Sequence, residues 1–317
     1  MNKVTLETPS RIHITLIDLN GSLGRIDGGV GLALMEPKVK VEVEFSEKNE
    51  VLGDVENIGR EALDLTIKNL NLKEKFKINI KEVYPPHIGL GLTTQLSLAI
   101  AFCVSKLLSL NLDPYHLAKV VNRGGTSGIG VGAFKFGGFL LDGGHSKKVK
   151  EDFLPSSFSR APPPPLLVRY EFPEDWYIIL ACHKEGKRVY GKEELKIFKD
   201  HCPISLEEVK SLSHIILMKL LPSVIEKDIE SFGDCIDKIQ NLGFKKLEVN
   251  YQKEEVKEII KRLKLKGGYG VGLSSFGPTV YTFTNSRKHA EELFEEALSF
   301  NSICWITKAK NSGASLK

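Results

Sequence analysis

One apolar run constrains this chain more than any other feature. Leu96–Leu110 is broken only by Ser97, Ser105, Lys106 and Ser109. It is too short and too polar to cross a bilayer, so it reads as a helix buried on nearly every side. Such a helix needs apolar partners all round, and 317 residues are enough to supply them, most naturally as two domains. Directly before it stands Gly89-Leu90-Gly91-Leu92-Thr93-Thr94-Gln95, with Thr93 or Thr94 as the expected N-cap of a helix of about 16 residues. Glycines there let the backbone approach a ligand, and the free N–H groups of a helix start attract phosphate. The segment lacks the Gly-Lys-Ser/Thr ending of a P-loop, and its glycine spacing fails the dinucleotide fingerprint. Two glycines before a helix also serve purely structural ends; the two threonines and the preceding prolines favour phosphate.

Elsewhere the pattern is mixed α+β. Strands are expected at Val4–Leu6, Arg11–Asp18, Val30–Met35, Val39–Phe45, Phe76–Val83, Trp176–Ala181 and Ile303–Ala309,. Helices are expected at Asn57–Leu70, from Asp113-Pro114 to near Asn122, from Ser205 with Glu208 as a capping box, up to Leu242 before Gly243, at Glu254–Leu265 and at Lys288–Phe300,. Gly124–Gly144 reads as tight loops with two short strands, Lys192–Lys199 as a solvated helix face, and Asn311–Lys317 as a frayed tail. The stretch Lys147–Pro165, ending in four prolines, marks the domain boundary. It is a stiff connector or, less simply, a ligand for a proline-binding module. The domains are accordingly 1–160 and 166–317.

Bulk properties exclude several classes. A formal net charge of +4 without a dense basic arm gives no reason to expect nucleic acid, though it permits an anionic substrate. Five scattered cysteines without a C-x-x-C pair argue against a disulfide framework and a zinc site and fit a reducing cytoplasm. Met1–Ser10 has no apolar core of signal-peptide type, and no membrane association is expected.

Other segments that carry chemistry are Arg11–Gly31, with His13, Asp18, Arg25 and Asp27, and Arg123-Gly124-Gly125-Thr126-Ser127-Gly128-Ile129-Gly130. The first offers an imidazole, carboxylates and a cation, or simply a charged hairpin; the second offers backbone N–H groups and a guanidinium to an anion, or simply a helix stop. Asp142-Gly143-Gly144-His145 is an Asp-Gly turn, or else a source of metal ligands or acid/base groups. Gly267–Gly277, rich in glycine, implies close backbone packing against a ligand or the first domain.

In this order, Pro9-Ser10-Arg11-Ile12, Pro86–Thr94 and Gly267–Gly277 resemble the superfamily of galactokinase, homoserine kinase, mevalonate kinase and phosphomevalonate kinase, the GHMP kinases. Arg11–Gly21, His87–Gln95, Arg123–Gly130 and Pro163–Pro165 followed by Pro173–Trp176 resemble one non-kinase family within it, the β-ribofuranosylaminobenzene 5′-phosphate synthases. The resemblance implies a GHMP-kinase-like two-domain fold, with an N-terminal domain like ribosomal S5 domain 2 and a C-terminal ferredoxin-like α/β sandwich. It implies condensation of 4-aminobenzoate (or 4-hydroxybenzoate) with 5-phosphoribosyl 1-pyrophosphate, releasing carbon dioxide and pyrophosphate, on the route to tetrahydromethanopterin-type pterins. Mg²⁺ but no organic cofactor is implied, with a homodimer as the assembly.

That chemistry distributes roles. Gly89, Gly91, Thr93, Thr94 and Gln95 would hold the pyrophosphate, and Arg123, Gly125, Thr126 and Ser127 the 5′-phosphate. Asp18 would stabilise an oxocarbenium-like centre, Arg25 would hold the aryl carboxylate, and His13 would orient the amine or move a proton. The metal ligands are unknown. Leu92, where kinases carry a small residue, is expected to crowd a nucleotide triphosphate. The alternatives are an ATP-dependent small-molecule kinase of the same superfamily and a catalytically dead ligand sensor.

Overall fold

The structure, a computed structural model, describes residues 2–317. The strand segments near the N-terminus merge into two long antiparallel strands, β1 (Lys3–Asp18) and β2 (Arg25–Ser46). Register shifts at Pro9/Ser10 and His13/Thr15 let β1 bend without ending, as bulges do. These strands organise an eight-stranded sheet with β3 (Glu50–Leu52), β4 (Lys75–Glu82), β5 (Phe139–Asp142), β6 (His145–Ser146), β7 (Leu166–Tyr170) and β12 (Ser315–Leu316). Three helices cover one of its faces: α1 (Ile58–Asn69), α2 (Leu92–Leu107) and α3 (Pro114–Val120). Asp113 caps α3 by accepting from Tyr115 N–H at 2.8 Å. The apolar run is α2, and twelve of its sixteen residues are buried; truncating one of its leucines to alanine costs about 2–5 kcal/mol.

The second unit is a four-stranded antiparallel sheet in the order β11 (Ser302–Thr307), β8 (Tyr177–His183), β10 (Thr279–Thr284), β9 (Tyr269–Leu273). Alternation along β8 divides its side chains between two cores. Ile179 and Ala181 pack on α10 (Glu254–Leu265) and α11 (Arg287–Leu298). Ile178 and Leu180 join a core that also holds Phe232 and Ile236 of α8 (Ile229–Ile239) and runs without a break into the first domain. Phe139, Phe172, Trp176, Phe232 and Phe283 form its aromatic joint. The remaining helices are α5 (Gly191–His201), α6 (Leu206–Ile215), α7 (Leu221–Glu226) after a π-helical turn, and α9 (Gly243–Asn250).

Several expectations change. Ile129–Lys135 is a helix, α4, where loops were expected. Ser205 begins α6 but its side chain makes no capping bond among the described residues. Gly243 starts α9 at φ +52° rather than closing a helix. The tail is not frayed: β12 pairs with β1, and Ala314 N–H donates to Phe134 O at 2.7 Å. β7 pairs with β5 in the first sheet, so the crossing into the second unit lies past Tyr170, beyond the 160/166 boundary. Lys147–Pro165 is no free connector. Pro163 and Pro164 lie against Gly124 and Gly128, and the buried Lys150 amine donates to Asp27, Thr126 Oγ1 and Leu154 O.

Candidate active site

Arg11 and His13 lie two residues apart on β1 and both reach one cleft, while Ile12 and Ile14 between and beyond them are buried in the core, as the period of a strand requires. The cleft encloses about 730 Å³ between the two units, a size that suits a small-molecule substrate. Its floor is where two glycine-rich loops interlock. Ser274 Oγ accepts from His13 N–H at 3.0 Å and donates to Gly89 O at 2.7 Å, and Ser275 N–H donates to His13 O at 3.1 Å. A Cβ on Gly89 (φ +87°) would stand 2.1 Å from Ser274 O, and one on Gly277 would stand 2.1 Å from Gly89 N. Of the Gly267–Gly277 segment, Tyr269–Leu273 is strand β9, and the Ser274–Gly277 turn after it packs on the first domain, one of its two expected partners; glycine at 89 is required by backbone contact as well as by any ligand.

Gly91 at φ +82° precedes α2, whose N-terminus has no side-chain cap among the described residues. The expected caps Thr93 and Thr94 lie inside the helix instead. The first N–H satisfied within it is that of Gln95, on Gly91 O at 3.2 Å. The N–H groups of Leu92, Thr93 and Thr94 precede it, and all three residues line the cleft. With the helix dipole, this is an anion site. The Leu92 side chain is turned into the core, with 3% of its surface exposed, so it does not crowd the loop; that expectation is corrected.

The charges around this helix start are positive. Arg11 lies across Gly91 and donates through Nη1 to Gly89 O; burial draws its pKa down to about 10, still cationic at neutral pH. Arg123, also lowered by burial, donates through Nε to Thr94 Oγ1 at 3.2 Å. Arg160 lines the rim of the cleft and raises the positive field at Arg123. Among the described residues none of these three arginines has a carboxylate partner. Of the carboxylates that line the cleft, Glu61 and Asp64 stand on its α1 side, Asp64 paired with Arg60, and the other two do not offset the arginines. Glu194 is pushed up to about 8 by burial and then by Glu248, so it is mostly uncharged at pH 7. Glu248, raised by burial, is paired with Lys245. His13 is held neutral, its pKa well below the ordinary value because of burial and then the charges of Arg11 and Lys245. Opposite these groups stands an apolar wall of Leu16, Phe198, Phe244 and Phe276.

Of the residues expected at the site, His13, Gly89, Gly91, Thr93, Thr94, Arg123, Thr126 and Ser127 line the cleft. Four stand outside it. Asp18 accepts the N–H groups of Asn20 and Gly21 at 2.8 and 2.9 Å, closing a turn. Arg25 donates to the carbonyls of Gly143 and Gly144. Gln95 is buried and donates to Gly130 O at 2.7 Å. Gly125 lies under Ser159. The Thr126 hydroxyl, though at the cleft, is spent on Leu154 O at 2.6 Å. His145 is no free acid/base group either: Nδ1 meets Asp27 at 2.6 Å and Nε2 meets Pro162 O at 2.8 Å. Sequence reasoning passed over Arg11, Arg160, Glu194 and Glu248; Arg11 was legible as the strand partner of His13 on the same face.

Among the described residues no group of three or more His, Cys, Asp or Glu side chains is placed to hold a metal ion. No helix among the described residues is long and apolar enough to cross a membrane.

Comparison with known proteins bears on the fold and the family. Residues 57–138 match the GHMP kinase N-terminal domain and residues 220–302 the GHMP kinase C-terminal domain. Two solved structures share the fold: homoserine kinase from Cytophaga hutchinsonii, with TM-score 0.70 at 14% identity over 100% of this chain and 98% of that one, and the phosphomevalonate kinase of Streptococcus pneumoniae, with TM-score 0.72 at 10% identity over 98% and 100%. Sequence relatives are closer. The β-ribofuranosylphenol 5′-phosphate synthase of Methanocaldococcus jannaschii is 45% identical over 97% of this chain and 98% of its own, and that of Methanothermobacter thermautotrophicus is 45% identical over 90% of each. With both halves of the GHMP kinase fold in place and this identity sustained along nearly the whole length, the chain belongs to the β-ribofuranosylphenol 5′-phosphate synthase family.

Proposed function

We propose that this protein joins the carboxylate-bearing ring carbon of 4-hydroxybenzoate or 4-aminobenzoate to C1 of 5-phosphoribosyl 1-pyrophosphate, with loss of pyrophosphate and carbon dioxide, in the making of methanopterin-type pterins. The observation that carries this reading is the convergence of three guanidiniums without carboxylate partners and an uncapped helix N-terminus in one cleft that also holds a neutral imidazole and an apolar wall.

Each demand of the reaction has a counterpart. The N–H groups at the start of α2 and Arg11 receive the pyrophosphate and stabilise its charge as it leaves. Mg²⁺ belongs here to the substrate, as the counter-ion of its pyrophosphate. Arg123 and Arg160 receive the 5′-phosphate, since the hydroxyls of Thr126 and Ser127 are engaged inside the protein,. The aromatic ring lies along Phe198, Phe244 and Phe276, where an apolar surround favours loss of a desolvated carboxylate. His13 serves the para substituent. Asp18 and Arg25, being engaged in turns, act by holding those turns. No ATP and no organic cofactor is required. The resemblance supports a homodimer, and five cysteines without a disulfide fit a reducing, cytoplasmic setting.

A kinase reading keeps one observation in its favour: the cleft continues past the glycine loop along Ile58, Ala62 and Leu65 of α1, leaving room for a larger ligand. One experiment separates the readings. The protein is incubated with phosphoribosyl pyrophosphate, Mg²⁺ and either benzoate, and carbon dioxide and the C-riboside are measured. Release of both is expected. ATP-dependent phosphorylation of an alcohol without carbon dioxide would replace the synthase by a kinase, and thermal stabilisation by substrate without turnover would make it a ligand sensor.

A further inference from the structure

Three polar side chains converge above Gly29. A Cβ on that residue would stand 2.7 Å from Ser127 Oγ, 2.9 Å from Asp142 Oδ2 and 3.2 Å from His13 Nε2. Only a hydrogen at this place on β2 lets the three meet. Asp142 lies behind the cleft with 0% of its surface exposed. Its Oδ2 accepts from Gly128 N–H at 2.9 Å and from Ser127 Oγ at 3.2 Å, and its Oδ1 accepts from Gly144 N–H at 3.0 Å. Three donors on one carboxylate favour its ionised form; burial opposes them and leaves the pKa at about 6, so the group is mainly anionic at pH 7.

The protonation pattern follows link by link. An anionic Asp142 only accepts, so the Ser127 hydroxyl gives it its proton. Ser127 Oγ then has lone pairs alone to offer. It accepts from Ile129 N–H at 3.2 Å, and it stands 3.2 Å from His13 Nε2, which must therefore carry the imidazole proton. Nδ1 is left bare. It is buried and has no hydrogen-bond partner among the described residues, on a ring that lines the cleft.

We propose that Asp142 and Ser127 are positioning residues that lock His13 as the Nε2–H tautomer, so that Nδ1 takes the proton of the para hydroxyl or amine during attack and returns it afterwards. This rests on the synthase reading. The C1–O bond to pyrophosphate breaks as the ring carbon bonds to C1, and the para N–H or O–H proton passes to Nδ1. The bond to the carboxylate then breaks, its electron pair restores the aromatic ring, carbon dioxide leaves, and the proton goes back to the para heteroatom. No oxidant or other reactant is consumed. Pyrophosphate seated on Arg11 offsets the largest charge that opposes protonation of His13, so the base gains strength when substrate is bound.

Two readouts test the relay, one of them independent of activity. Long-range ¹H–¹⁵N spectra of the histidine-labelled protein should show His13 as the Nε2–H form; an Nδ1–H form overturns the proposal even if the protein makes no product. For turnover, Ser127→Ala and Asp142→Asn are compared with the unsubstituted protein on 4-hydroxybenzoate and on 3,5-difluoro-4-hydroxybenzoate, whose phenol is already ionised at neutral pH. Loss of general-base positioning should lower kcat on the first substrate by about 100-fold, with KM changed less than about threefold and the loss on the difluoro substrate under about tenfold. Equal losses on both substrates, or none, overturn the relay. Ser127→Ala removes a single hydroxyl and carries the test if Asp142→Asn does not fold. Absence of product from the unsubstituted protein would refute the synthase reading and leave the spectrum to judge the tautomer.

Discussion

Lys150→Met tests how the segment 147–165 is held over the cleft. Lys150, a residue 5% exposed, donates through its amine to Asp27 Oδ1 and Oδ2 at 3.2 and 2.9 Å, to Thr126 Oγ1 at 3.2 Å and to Leu154 O at 2.9 Å. Asp27 is 1% exposed, and its one other side-chain contact is His145 at 2.6 Å. Methionine fills the same volume but removes the charge. Breaking a buried ion pair on one side costs about 3–5 kcal/mol, because the partner charge stays buried. At about 2–3 °C per kcal/mol for a chain of this size, that is a fall in Tm of roughly 6–15 °C. Asp27→Asn in the Lys150→Met background should restore part of the loss, since no uncompensated charge then remains. The effect should reach function too, since Ser156, Ser157 and Arg160 line the cleft from this segment. The KM for phosphoribosyl pyrophosphate should rise in Lys150→Met at temperatures where the protein is still folded. Calorimetry and urea titration measure the stability change; a loss below about 1 kcal/mol, with no recovery in the double variant, would refute the reasoning.

Three further outcomes are expected. Gly91→Val should raise the KM for phosphoribosyl pyrophosphate at least tenfold and that for the benzoate far less, because a side chain at φ +82° is strained and meets Arg11 at 3.1 Å; equal effects in steady-state kinetics would detach Arg11 and Gly91 from the pyrophosphate. Glu194, raised to about 8 from 4.5, binds a proton in the folded state that the unfolded chain releases, so its contribution is full below pH 4.5 and is lost as pH rises through 8; the Tm of the native protein should fall between pH 5 and 8 relative to Glu194→Gln, and a constant difference would contradict this. Arg25→Ala should lower kcat by loosening the Gly143–Gly144 turn beside Asp142 while leaving the KM for the benzoate unchanged; a tenfold rise in that KM would return Arg25 to the role of holding the carboxylate.

The periodic elements were readable because their patterns are local. The all-round apolar α2, the alternating β4 and the Asp113-Pro114 start of α3 each carry their signal within a few residues. Helix α4 was not readable. Gly130 and Gly132 lower helix propensity, and the helix forms because those glycines fit closely against Thr94 and Leu140, contacts that depend on distant parts of the chain. The same divide runs through the site. The glycine loop and His13 were legible, yet Asp18 and Arg25, close to His13 in sequence, are not beside it in space: five residues along a strand cover about 16 Å, which carries Asp18 away from the cleft. Glu194 was invisible because α5 looks solvated by composition, and only the arrangement of the second domain turns that one residue toward Arg123.

The contact between Gly89 and Gly277 bears on how such a protein can diverge. Two backbones from separate domains meet where neither tolerates so much as a methyl group, so a change at either loop must be answered at the other. The halves of this chain are therefore not exchangeable modules. A chimera that takes its first domain from one relative and its second from another should assemble a working cleft only when both loops are inherited together, which makes the pair of loops, rather than either domain, the unit on which selection acts.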